Sequence, residues 1–192
     1  MHDDELRETP VDGRIVHQGR YVTFRVDRVR DADGGIHTRD WVDHPGAVAI
    51  LAVDAGSVLM VRQFRTPAGR VLMEIPAGTL ERLPGGGTED PDGAARRELG
   101  EETGQQAARW RTLGRFYPAP GFASELMHLY LATDLAPVPD YAGPEEDERI
   151  AVARIPVADA LAMADRGEIA DAKTLVALFW LARLADRGEI AL

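Results

Sequence analysis

The 192 residues include no cysteine. Disulfides, thiolate zinc sites and a cysteine nucleophile are thereby excluded. No apolar run approaches the ~20 residues of a membrane-spanning helix. Met1-His2-Asp3-Asp4-Glu5 lacks the basic and apolar regions of a signal peptide, so the expectation is a cytoplasmic protein. Positive charge is scarce. Lys+Arg number 22 against 32 Asp+Glu, a net charge of −10 that argues against a nucleic-acid backbone or an anionic membrane as partner. The five histidines, His2, His17, His37, His44 and His128, show no metal-ligand spacing. No Gly-x-Ser-x-Gly is found, which leaves serine-nucleophile chemistry without support. Gly85-Gly86-Gly87 is not followed by Gly-Lys-Ser/Thr, so it is an inserted loop and not a phosphate-cradling P-loop.

What is present is enough apolar residue, 45%, for one ordinary core. Residues 1 to about 10 are polar. Arg14–His17, Tyr21–Val29 and Ile36–Val42 alternate apolar and polar, with the hairpin signal Asp31-Ala32-Asp33-Gly34-Gly35 between the last two. This predicts a three-stranded antiparallel unit over residues 1–45, too small to be stable without a partner surface. Pro45-Gly46 marks its end, and residues 46–192 form the main domain. Strands are predicted at Ala47–Val53, Ser57–Phe64, Val71–Ile75, Trp110–Phe116, Glu125–Thr133 and Arg149–Ile155. Helices are predicted at Pro156–Arg166 and Asp171–Ala185. The latter is apolar almost all round (Leu175, Leu178, Phe179, Leu181, Leu184) and is expected to be buried. Strands and helices interleave without strict alternation, which gives a mixed sheet with helices, α+β or α/β.

The chemistry concentrates in Arg97-Glu98-Leu99-Gly100-Glu101-Glu102-Thr103-Gly104. Asp90 is a candidate N-cap, Pro91 suits the first helical position, and Gly104 stops the helix. Glu98, Glu101 and Glu102 then fall within an arc of about 100°. Their repulsion costs about 0.2–0.5 kcal/mol per pair unless a cation sits over them. Carboxylate oxygens are hard ligands, and the fitting cation is Mg²⁺, with Mn²⁺ as the alternative.

The same segment resembles the Nudix box, G-x5-E-x7-R-E-U-x-E-E-x-G-U with U aliphatic. Glu89, Arg97, Glu98, Leu99, Glu101, Glu102 and Gly104 match it. Gly78 is the best leading glycine but lies eleven residues before Glu89 instead of six, an insertion around Leu83–Gly87. Gln105 replaces the final aliphatic residue. Pro120 stands fifteen residues beyond the box, and with Val61–Arg65 and Met73–Gly78 it is similar to the ADP-ribose pyrophosphatase branch.

The resemblance implies an α/β/α sandwich with a mixed sheet. It also implies a homodimer whose N-terminal strands pack on the neighbour and help build its adenine pocket. The implied activity is Mg²⁺-dependent hydrolysis of ADP-ribose to AMP and ribose 5-phosphate. Glu98 and Glu102, with Glu101, the Ala77 carbonyl and Glu148, would hold metal. Arg97 would pair with Glu89. Glu146, on the acidic stretch Glu145–Glu148, would be the general base, although the sequence does not separate it from Glu145 and Glu148. Glu101 is a second catalytic candidate. Arg65, Glu74, Pro120, Gly121, Glu125 and Trp41 are the expected substrate contacts. Each of these has a plainer alternative. Arg65 is otherwise a surface charge, Pro120-Gly121 a turn, Glu125 a residue away from any ribose, and Trp41 and Tyr21 packing for the small sheet. Two other functions stay open: hydrolysis of another nucleoside diphosphate derivative, such as a nucleotide sugar or dinucleotide, and a non-hydrolytic ADP-ribose sensor. The intact set of box glutamates disfavours the sensor.

Overall fold

In the computed structural model, which describes residues 3–141, 143 and 149–190, one strand explains the architecture. β4 (Ala47–Asp54) is apolar at nearly every position, and both of its faces are covered. Successive side chains of a strand point to opposite faces. Ala47, Ala49, Leu51 and Val53 face one core, formed with α2 (Val157–Asp165) and α3 (Ala172–Asp186). Val48, Ile50 and Ala52 face the other, formed with Ala94, Ala95 and Leu99 of α1 (Pro91–Thr103). The result is a sheet between helix layers, with β4 parallel to its neighbour β9 (Met127–Pro137) as suits a strand buried on both sides.

Among the described residues this sheet has seven strands. Five run in the order β10 (Ile150–Pro156), β5 (Ser57–Arg65), β4, β9, β8 (Gln105–Phe116). The other two fill a fork. β4 and β5 pair only from Ala52↔Leu59 to Asp54↔Ser57 and then part. β6 (Arg70–Glu74) takes the edge of β5, and β7 (Ala77–Thr79) takes the edge of β4. Between them Ile50 N–H donates to the Pro76 carbonyl at 2.9 Å, and Ile75 N–H donates to Thr174 Oγ1 at 2.9 Å. The second bond ties α3 to the crotch of the fork. β7 is too short to be seen in the sequence, and β8 begins at Gln105 because the chain turns straight from Gly104 into it.

β1 (Thr9–Gln18), β2 (Thr23–Arg30) and β3 (Ile36–Asp43) form a separate antiparallel sheet, as the alternation predicts. β1 starts earlier than its sequence pattern, after a 3-10 turn at Asp3–Leu6. The unit is joined to the main body through Val42, whose N–H donates to the Phe122 carbonyl and whose carbonyl accepts from Ser124 N–H. Val11, Ile15, Val16 and Phe24 remain exposed on it. No helix among the described residues is long and apolar enough to cross a membrane.

The pentapeptide Asp-Arg-Gly-Glu-Ile ends both α2 and α3 in the same way. Gly167 and Gly188 take positive φ, and Glu168 and Glu189 N–H groups donate back to Met163 and Leu184 carbonyls. One expectation is corrected. α3 is not buried all round, since Phe179 is 70% exposed and forms an outer apolar patch with Val176 and Trp180. Only one side of the helix meets the sheet.

Thr174→Val tests the tie at the fork. It leaves the buried Ile75 N–H without an acceptor, which costs about 1–3 kcal/mol. Thermal unfolding should show a drop of several degrees, and Thr174→Ser should restore most of it.

Candidate active site

α1 begins and ends as its residues require. Asp90 accepts from Gly93 N–H at 3.0 Å with Pro91 in the first turn, and Gly104 at φ 67° closes the helix with its N–H on the Gly100 carbonyl. A side chain at 104 would also meet the Tyr141 ring 2.5 Å away. The Tyr141 hydroxyl donates to the Glu101 carbonyl at 2.8 Å, so this tyrosine, which follows β9, is held over the helix end.

Arg97 is the hub of the carboxylate cluster. Nη2 donates to Glu89 Oε1 at 2.8 Å, and Nη1 lies 2.8 Å from both Glu98 Oε1 and Glu101 Oε2. Burial alone would lower the Arg97 pKa, but these carboxylates outweigh it and raise it well above the ordinary arginine value. Glu89 also accepts from Glu81 N–H at 2.9 Å, and Glu89 N–H donates to the Glu81 carbonyl at 2.9 Å. This pairing shows how the inserted loop is accommodated. Residues 82–88 bulge outward as a turn closed by an Arg82↔Thr88 bridge, while Glu81 and Glu89 stay side by side.

The other wall is β7. Glu102, 3% exposed, accepts from Ala77 N–H at 2.9 Å. A Cβ on Gly78 would fall 1.9–2.4 Å from the Glu98 carboxylate, so only glycine leaves that space to the glutamate. Among the described residues no three acidic or histidine side chains converge as a ready metal cage, since Glu98 and Glu101 are turned onto Arg97. The donor set nevertheless fits a divalent ion. Two carboxylates one turn apart face the backbone of β7: Glu102 is nearly fully buried, and Glu98 uses the room left by the missing side chain at Gly78.

These groups line a cleft of about 340 Å³. Its further walls are Gln63 and Arg65 of β5 and, from the small sheet's connection, Arg20 and Tyr21, with the Arg20 guanidinium 4.8 Å from the Tyr21 ring centre. A larger hollow of about 550 Å³ lies on the far flank of α1 near Trp110 and Tyr141. It shares Arg97 and Glu101 but not Glu98 or Glu102, so the chemistry belongs to the smaller cleft.

The expected substrate residues divide. Arg65 is at the cleft, with Nε and Nη2 each 2.8 Å from a Glu74 oxygen. Glu74 is only 1% exposed and also accepts from Lys173. Burial pushes its carboxyl up, but Arg65 and Lys173 together bring it below the usual range. Glu74 thus anchors Arg65 from below the cleft. Trp41 does not line the cleft; its indole N–H donates to Asp27 at 2.8 Å and Arg25 lies 5.4 Å over its ring. Pro120 and Gly121 sit in an exposed turn whose backbone is bonded to β3, and Glu125 has His44 as a neighbour at 4.0 Å. Glu145, Glu146 and Glu148 lie outside the described residues. The sequence reading missed Lys173, Thr174 and Tyr141. A buried lysine next to a helix-capping Asp171 was the one available signal.

A profile of the NUDIX domain matches residues 42–178, well over half of the chain. The chain belongs to the NUDIX domain family. An ADP-ribose pyrophosphatase of Bacillus subtilis (strain 168) is 39% identical over 177 residues, covering 92% of this chain and 93% of that protein. An ADP-ribose pyrophosphatase of Mycobacterium tuberculosis (strain ATCC 25618 / H37Rv) is 40% identical over 169 residues, 88% of this chain and 78% of its own. A solved structure described as an ADP compounds hydrolase superposes with a TM-score of 0.79 at 22% identity, covering 96% and 97% of the two chains, which shows the shared fold. The NUDIX box is thus the α1 segment together with the Glu81–Glu89 neck and β7.

Gly78→Ala should keep the fold, because the clash is with the far end of a side chain and the backbone there is not left-handed. The melting temperature should stay within about 5 °C. Mn²⁺ binding, read by paramagnetic resonance, should weaken at least tenfold as Glu98 is displaced, an effect of about 1.4 kcal/mol or more.

Proposed function

We propose that the protein hydrolyses the diphosphate bond of ADP-ribose, giving AMP and ribose 5-phosphate, with Mg²⁺ as cofactor and Mn²⁺ able to replace it. The observation that carries this reading is the cleft in which Glu98 and Glu102 face Gly78 while an arginine anchored from below, Arg65, stands across from them. The two relatives named ADP-ribose pyrophosphatase support the choice of substrate.

Glu98 and Glu102, with the Ala77 carbonyl and Glu148, would hold the metal. Ala77 is extended and gives its N–H to Glu102, so its carbonyl lies on the same edge. Bound there, divalent ions supply charge neutralisation for the diphosphate oxygens and make water a better nucleophile. The protein's own groups do the rest. Arg97 keeps Glu89, Glu98 and Glu101 in register. Arg65, whose Nη1 has no partner among the described residues, presents that edge to a phosphate oxygen. Tyr21, at the cleft wall, is better placed than Trp41 to stack on the adenine. Glu146 accepts the proton of the attacking water, because a carboxylate held by cations, as the box glutamates would be, is a poor base. Glu101, tied to Arg97, is the weaker candidate for that role.

The nearest competing reading is another nucleoside diphosphate derivative, a nucleotide sugar or dinucleotide, with unchanged chemistry. A phosphate-release assay coupled to phosphatase, run over such a panel with Mg²⁺, decides it. ADP-ribose should show the highest kcat/KM. Glu102→Gln should keep the fold and raise the Mg²⁺ needed for half-maximal rate by about tenfold or more. A variant that works normally at low Mg²⁺ would remove Glu102 from the metal site.

The exposed apolar side chains of the small sheet support a homodimer built through residues 1–45, with a cytoplasmic location as part of the same proposal. Light scattering at micromolar concentration should give about twice 21.0 kDa. A monomer that still turns over ADP-ribose would discard the dimer and leave the activity.

A further inference from the structure

The chain has a single lysine, Lys173, among its 22 Lys+Arg residues. It lies on the first turn of α3 with its side chain 11% exposed, beneath the fork in the sheet and out of the cleft. Its ammonium bridges two carboxylates, Glu74 Oε2 and Asp171 Oδ1, the latter at 3.0 Å. Asp171 uses its other oxygen to cap α3, accepting from Thr174 N at 2.9 Å and Thr174 Oγ1 at 2.6 Å. Thr174 in turn accepts from Ile75 N–H, next to Glu74. Glu74 accepts from Arg65 Nε and Nη2, and Arg65 reaches the cleft. The chain of contacts is therefore closed. It runs from the cap of α3 through Lys173 and Glu74 to the arginine in the cleft, and returns through Thr174 to the fork.

The charges in this chain cancel: Arg65 and Lys173 against Glu74 and Asp171. Without Lys173 the buried Glu74 and the half-buried Asp171 would lose the cation between them, and Glu74 would lose its third donor. A buried carboxylate left short of partners shifts or draws in water, and a guanidinium held only by it shifts too. The use of lysine here, in a chain that elsewhere uses arginine, has a geometric reason. A compact ammonium with three rotatable donors fits between two carboxylates at different angles, and a planar fork does not.

We propose that Lys173 is a positioning residue for the cleft: by fixing Glu74 it sets the orientation of the Arg65 guanidinium toward the diphosphate of the substrate. This rests on the reading of the cleft as a diphosphate site. Lys173 touches no substrate, and its loss acts on substrate binding more than on the chemical step.

Lys173→Gln keeps a donor and removes the charge. It should raise KM for ADP-ribose by about tenfold or more while kcat changes by less than about threefold. The absence of cysteine allows a cleaner comparison. Lys173→Cys, aminoethylated in denaturant and refolded, restores the ammonium, and ethylation restores only the bulk. The aminoethylated protein should recover KM to within about threefold of wild type, and the ethylated one should not. A readout without substrate runs beside this. The Arg65 Nε–H resonance in ¹⁵N-arginine protein, assigned with Arg65→Lys, should exchange slowly with water in the wild type, quickly in Lys173→Gln, and slowly again after aminoethylation. Unchanged KM and unchanged Arg65 protection in Lys173→Gln would overturn the proposal, as would equal recovery by ethylation. If the wild type leaves ADP-ribose intact, the substrate reading fails, and the Arg65 protection alone decides the role of Lys173.

Discussion

One guanidinium is shared by two of the three carboxylates on the α1 face and by the glutamate of the loop that leads into the helix. Arg97 reaches Glu89, Glu98 and Glu101 from a single position, and Glu89 carries the connection on to the backbone of Glu81. That arrangement fixes the helix against the loop that leads into it. It also shows how the insertion between Gly78 and Glu89 is accommodated. The neck at Glu81 and Glu89 is held shut, so the added residues leave the molecule as an outward turn. The contribution of each ion pair to stability is small where it is exposed. Their value lies in geometry, because a ligand that moves by an ångström is a poor ligand.

The second constraint is the fork. A sheet in which β4 and β5 stayed paired throughout would have no cleft beside the box helix. By parting after three residue pairs they admit the segment from β6 to β7, and with it Glu74, Ala77 and Gly78. A fork exposes backbone groups, and these are satisfied from unusual places: a carbonyl of Pro76 and a hydroxyl of Thr174. Polar residues of α3 are drawn inward for that purpose, which is why a helix with an apolar inner face carries Thr174 and Lys173 at its buried end.

Much of this was legible in advance where the determinants are local. The caps of α1, the strand at Ala47–Val53, the hairpin at Asp31–Gly35 and the glutamate spacing all follow from near neighbours in sequence. What was not legible has a cause as well. Phe179 was read as buried because apolar character was taken for contact, yet only one side of α3 meets the sheet. Trp41, expected as a substrate contact, has its indole N–H on Asp27 and the Arg25 guanidinium over its ring, and among the aromatics it is Tyr21 that lines the cleft. Glu74, also expected as a substrate contact, has Arg65 and Lys173 as its partners within the chain, and no pattern in the sequence points to that pairing.

The sequence by itself determined the periodicities, the ends of the elements and the run of charges on α1, since these depend on residues a few positions apart. From them came the family. The tertiary structure alone decided which charges meet. Lys173 and Glu74 are separated by 99 positions, as are Thr174 and Ile75. A pattern within one element reports which side is apolar. It does not report which distant element closes over that side, because that choice is made only when the whole core packs.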